Sequence, residues 1–191
     1  MAFLVAQVAD RNTIALDPDA DAQPWRGIAG DGNTLRFSRI RSQAKRCWCT
    51  ISDNDKFVRL TQGASFLGHF STNGETVIAT NQNPGTSLKI AFDPPITGVG
   101  MDVEPVLPGN GAGQNVQMEF TVTQAGTGTG FAQTANGVGG ASQFIALRSN
   151  IDDIAALELK VLLLDAGGNP AGAVDFAINR LEIVAAVGNI V

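Results

Sequence analysis

The chain has no tyrosine, one histidine, two cysteines and two tryptophans in 191 residues. Each shortage removes a class of chemistry. With one imidazole, every Ser–His or Cys–His nucleophile scheme has to run through His69. Two cysteines with no second pair do not complete a zinc ligand set. Nucleophile-elbow, phosphate-loop and His-Glu-x-x-His sequences are all missing. No run approaches the ~18–20 apolar residues that a membrane-spanning helix needs. Positive charge is thin as well. Residues 61–191 hold 4 Lys or Arg against 11 Asp or Glu, which argues against a nucleic-acid backbone as partner. Met1–Val8 lacks the cationic start of a secretory leader and reads as no signal peptide.

What remains is 44% apolar and rich in turn formers, with 22 Gly and 8 Pro. The dominant period is two. Val116, Met118, Phe120 and Val122 alternate with Asn115, Gln117, Glu119 and Thr121. Such alternation marks a strand with one buried and one wet face. Val99, Met101 and Val103 alternate with Gly100, Asp102 and Glu104, and Leu88, Ile90 and Phe92 form a shorter set. Asn73-Gly74 predicts a hairpin between Ser65–Phe70 and Thr76–Thr80, since both residues tolerate positive φ. Asp165–Gly172 reads as a wider hairpin loop.

Residues Ile154–Leu164 have helical composition, but Leu157, Leu159, Val161 and Leu163 oppose Glu158 and Lys160 with strand spacing. We read a strand. The buried parity slips between Ile178 and Leu181, which predicts a β-bulge near Asn179. Ser38–Arg46 alone has room for a helical turn or two. The expected fold is an all-β antiparallel β-sandwich or jelly roll of about ten strands. With no linker or repeat in sight, residues 1–191 read as one domain.

Four constellations are candidates for chemistry. Asp102 and Glu104 share one strand face at i, i+2, close to the lower carboxylate spacing of glycoside cleavage, on a face expected to be wet. Asp17, Asp19 and Asp21 alternate in a loop and are the candidate metal ligands, with calcium as the fitting cation. Trp25, following Pro24 in a polar stretch, is the better aromatic platform for a sugar ring; Trp48 stands between Cys47 and Cys49 and faces away from them. Arg36, Arg39, Arg41, Lys45, Arg46, Lys56 and Arg59 outnumber Asp53 and Asp55, a solvated face or an anion patch. Cys47 and Cys49 read as two small buried thiols, because an i, i+2 bridge in a strand is strained. His69 reads as a hydrogen-bonded structural or surface residue, and Phe92, Phe120, Phe144 and Phe176 as core.

Three stretches carry a resemblance: Phe92–Val103, with its Pro94-Pro95 and Gly100-Met101-Asp102-Val103; Gln143–Ser149; and Val174–Leu181. From about residue 76 to 184 the chain resembles bacterial jelly-roll β-sandwich domains of secreted or surface-sorted proteins. Ala146 stands where that group usually has Gly, and Asn179 where it usually has Asp. Residues 1–75 match nothing comparable. The resemblance implies a secreted or surface setting and a non-catalytic, carbohydrate-binding-like or adhesive module. The expected function is therefore recognition of a glycan or another surface ligand, with Trp25, Asp102 and Glu104 as its contacts. The alternatives are a self-assembling structural protein, joined through strand edges or the apolar termini, and a sandwich-fold hydrolase or lyase using Asp102 and Glu104.

Overall fold

The computed structural model describes residues 4–7, 39–41, 47–52, 54–70, 73–80, 85–107, 113–128, 130–149 and 153–185. Among them are twelve strands and a single 3-10 turn, Asn54–Lys56. Every pairing between these strands is antiparallel. The all-β expectation is met.

One layer runs in the order β4 (Phe57–Thr61), β5 (Thr76–Thr80), β12 (Asp175–Ala185), the second half of β6 (Leu88–Val106), β9 (Gln143–Arg148) and β1 (Leu4–Gln7). The other runs β2 (Arg39–Arg41), β3 (Trp48–Ile51), the first half of β6, β10 (Ile154–Leu164), β7 (Asn115–Gln124) and β8 (Gly130–Val138). A short β11 (Pro170–Ala173) extends the far end of β10. The 19-residue β6 therefore belongs to both layers. Its Leu88–Asp93 part pairs with β3 and β10, and its later part with β12 and β9.

The period-two residues meet between the layers. Val99, Met101, Val103, Ile178 and Leu181 from the first layer form one cluster with Ile90, Met118, Phe120, Val122, Leu157 and Leu159 from the second. Burying every other side chain of each strand is what makes the alternation legible in sequence. A small void lined by Val99, Met101, Phe120, Ile145 and Leu157, among others, is almost wholly hydrocarbon and offers a polar ligand nothing.

Several local expectations hold and others are corrected. Ile154–Leu164 is a strand, because it has a ladder partner on each side over most of its length; pairing overrides propensity. The bulge lies between Asn179 and Leu181, where Arg180 has φ +36°. Asp165 closes the β10–β11 loop by accepting from the backbone N–H of Gly167 (2.8 Å) and Asn169 (2.9 Å). These bonds, the Asn169 one foremost, hold its carboxyl below the ordinary range. Asn73-Gly74 is a turn, but Ser65–Phe70 is not the strand before it; β5 pairs with β4 instead. Within Ser38–Arg46, Arg39–Arg41 form a strand. Phe92, Phe120 and Phe176 join the main core, whereas Phe144 is buried on the opposite side of its sheet, beside Asp102.

Candidate functional site

Each layer has an outer face, and the two differ. On the β4–β5–β12–β6–β9 layer, the register aligns Ala79 of β5 with Ala177 of β12 and then Glu104 of β6, and sets Asn179 of β12 beside Asp102 of β6. Residues 62–70 fold over this surface. Phe66 packs on a second apolar cluster formed by Phe70, Val77, Ala79 and Ala177. Thr61 O accepts from the backbone N–H of Ala64, Ser65 and Phe66, which sets the curl of the loop.

Glu104 is the loop's anchor. It was expected on a wet face with Asp102, yet only 4% of it is exposed, while Asp102 is half-buried. Alternation assigns the face correctly; what it cannot supply is that the chain's own loop covers that face. Glu104 Oε2 accepts the His69 backbone N–H at 2.6 Å, and Oε1 lies 2.8 Å from His69 Nδ1. His69 thus sits in a loop as a hydrogen-bonded partner, with its ring 59% exposed. A Cβ on Gly68 would lie 2.5 Å from Glu104 Oε2, so the clip needs glycine there. Both oxygens of this carboxylate take part in holding the loop.

Glu104→Ala is expected to loosen the clip without unfolding the sandwich. Amide exchange at Gly68–Phe70 should quicken, and stability should fall by about 1–3 kcal/mol, dominated by the bond to the buried carboxylate. Glu104→Gln, which keeps an acceptor for the His69 N–H, should lose less. Unchanged exchange in Glu104→Ala would show that the apolar contacts hold the loop alone.

A second polar knot lies beside it. Glu75 Oε1 accepts from Arg180 Nε (3.2 Å) and from an Arg180 terminal nitrogen (2.9 Å), and Glu75 Oε2 accepts from Asn179 Nδ2. Sequence reading missed this group. Its one signal was the parity slip near Asn179, which turns Arg180 out of register and toward β5.

Among the described residues, no loop folds over the outer face of the other layer. Its cross-strand rows can be read straight from the register. Thr50, Ala91, Ala156, Thr123 and Gly130 lie side by side across β3, β6, β10, β7 and β8. All five are exposed or half-exposed, and all are short. Flanking rows carry longer groups: Trp48 and Asp93 on one side, and Lys89 and Glu158, with Thr121 next to them, on the other. The result is a shallow trough perpendicular to the strands, about 19 Å long at the usual strand spacing. Alternate residues are ~6.5–7 Å apart along a strand, so its walls stand about 13 Å apart, enough for a flat ring between them. Lys89 and Lys160 each place an ammonium 3.8 Å from the same Glu158 oxygen. Glu119 and Thr134 continue the polar surface beyond Lys160.

Trp48 holds its place because β3 buries the alternate residues. Cys49 and Ile51 enter the core, while Trp48 and Thr50 face out, half-buried. Cys47 and Cys49 are unbridged and both 1% exposed, as expected. The Cys47 thiol donates to Trp48 O at 3.3 Å, and its hydrogen bond with Cys49 holds it below the ordinary thiol range against the opposing effect of burial. Trp25 and the candidate metal ligands Asp17, Asp19 and Asp21 lie outside the described residues, as do Arg36, Lys45 and Arg46. Among the described residues no three acidic, His or Cys side chains gather as a metal site. No helix among them is long and apolar enough to cross a membrane.

No protein-family model and no curated protein matches the chain. Solved structures give loose likenesses. The carbohydrate-binding module TmCBM61, solved in complex with β-1,4-galactotriose, is 9% identical over 73% of this chain and 88% of its own, with a TM-score of 0.40. A variant of the family 29 carbohydrate-binding module CBM29-2 is 14% identical over 69% of this chain and 92% of its own, with a TM-score of 0.36. The Clostridium thermocellum xylanase 10B CBM22-1–GH10 modules, complexed with xylohexaose, are 13% identical over 70% of this chain and 27% of their own, also at 0.36.

Proposed function

We propose that the protein is a non-catalytic glycan-binding module that receives its ligand on the outer face of the β3–β6–β10–β7–β8 layer. The observation that carries this reading is the row of short residues Thr50, Ala91, Ala156, Thr123 and Gly130, with Trp48 beside it. A sugar ring needs an apolar surface for its C–H face and fixed polar partners for its hydroxyls. The indole supplies the first. Asp93, Lys89, Glu158 and Thr121, projecting from paired strands, supply the second on a framework that does not have to reorder on binding. The absence of turnover is supported by Glu104, whose oxygens hold a loop rather than a substrate.

This reading moves the platform from Trp25 to Trp48 and takes Asp102 and Glu104 out of the contact set. Titration against a panel of soluble polysaccharides tests it. In Trp48→Ala, affinity for the bound polymer should fall at least about tenfold, the loss typical of a central aromatic anchor. Asp102→Asn should bind like the unmodified chain, and no reducing ends should accumulate. Full binding by Trp48→Ala, or loss of binding in Asp102→Asn, would move the site elsewhere.

A further inference from the structure

The chain's only two cysteines stand on either side of Trp48, and both are 1% exposed. The two thiols are hydrogen-bonded to each other. That bond, helped by a backbone hydrogen bond from Asp93, holds Cys47 below the ordinary thiol range against the effect of burial. The thiolate is the nucleophilic form of cysteine, and here a second sulfur already touches it. Cys47 also lies just outside β3, whose ladders with β2 and β6 end at Trp48. Alternate residues of a strand have Cα atoms ~6.5–7 Å apart, whereas a disulfide prefers ~5.5–6 Å, so closing a bridge draws the backbone in by about 1 Å. The end of the ladder is where the chain gives. The strain that disfavours a permanent structural bridge here makes a reversible one easy to reduce.

We propose that Cys47 and Cys49 are a peroxide-responsive dithiol whose closure to a disulfide displaces Trp48. Its effect on ligand binding rests on the reading of Trp48 as the platform of a glycan site. Hydrogen peroxide is little larger than water and reaches almost fully buried groups through local openings; a bulky oxidant such as glutathione disulfide does not. The Cys47 thiolate attacks one peroxide oxygen. The O–O bond breaks, hydroxide leaves with the proton that Cys47 gave up, and Cys47 becomes a sulfenic acid. The Cys49 sulfur then attacks the Cys47 sulfur, the S–O bond breaks, and the departing hydroxide takes the Cys49 proton as water. In sum, two thiols and one hydrogen peroxide give one disulfide and two waters. Trp48 is the residue between the two sulfurs, so the strain falls on its backbone and turns the indole out of the row it shares with Asp93.

The folded, reduced chain is treated with a small excess of hydrogen peroxide and read by intact mass. It should lose two hydrogens and both titratable thiols, and dithiothreitol should restore them. In a Trp25→Phe chain, where Trp48 is the only indole, emission should shift on oxidation and return on reduction. For any polysaccharide that the reduced chain binds, affinity should fall several-fold in the oxidised form. Cys49→Ala should stop at a sulfenic acid on Cys47, which dimedone traps. Thiols that stay intact in the folded chain, or gain of oxygen without a bridge, would overturn the dithiol. A bridge that leaves Trp48 emission and affinity unchanged would overturn its coupling to the trough. No polymer bound in either state would overturn the glycan reading alone, because mass and emission decide the dithiol without a ligand.

Discussion

Leu159→Ala is expected to cost about 3–5 kcal/mol, the upper part of the range for buried leucines. Leu159 is fully buried in the middle of β10, opposite Leu88 of β6 on one side and Phe120 of β7 on the other. Where a cavity's walls relax, the cost of making it falls. Here the walls belong to strands held by ladders on both flanks, so collapse is resisted. A chemical denaturation midpoint reads the loss. Leu159→Met, which conserves volume, should cost less than about 1.5 kcal/mol. If the two variants lost the same amount, the cavity argument would fail.

Glu75→Ala comes next in size, at about 3 kcal/mol, the lower end for breaking one side of a buried ion pair. Glu75 is 7% exposed and takes three donors, from Asn179 and Arg180. Removing it takes an acceptor from the Asn179 amide group, which is buried, and from a guanidinium that is only partly solvated. It also removes the group that holds Arg180 in a left-handed backbone conformation normally left to glycine. Glu75→Gln keeps one acceptor and should recover part of the loss in thermal unfolding. Arg180→Gly should cost less than Glu75→Ala, because relief of the backbone offsets some of the lost pairing. A Glu75→Ala chain as stable as the parent would show that water replaces the carboxylate freely.

The parts of the fold that were legible in sequence share one cause. Val116–Val122 and Leu157–Val161 alternate because each strand has one face on a common core, and the bulge near Asn179 shows as a slip in the same rhythm. β6 was less legible. Leu88–Phe92 and Val99–Val103 read as separate alternating sets; in fact one strand runs through Asp93-Pro94-Pro95 and continues from one layer into the other. The site was the least legible part. The trough consists of residues such as Ala91 and Ala156 that are unremarkable along the chain and become neighbours only through register. Glu104 was misplaced for the complementary reason: a loop beginning some forty residues earlier covers it. Both are long-range facts, which periodicity within one strand does not contain.

Because β6 is woven into both halves of the sandwich, neither half is a module that recombination could move by itself. A cut anywhere between Leu88 and Val106 leaves one sheet without an interior strand, and a duplication of either sheet alone would have a gap at its centre. Change in such a protein is confined to the loops and to the two outward surfaces, where one residue can be exchanged without renegotiating the partition of the chain. Among the described residues, 62–70 occupy one of those surfaces and none fold over the other, which is where new specificities have room to arise.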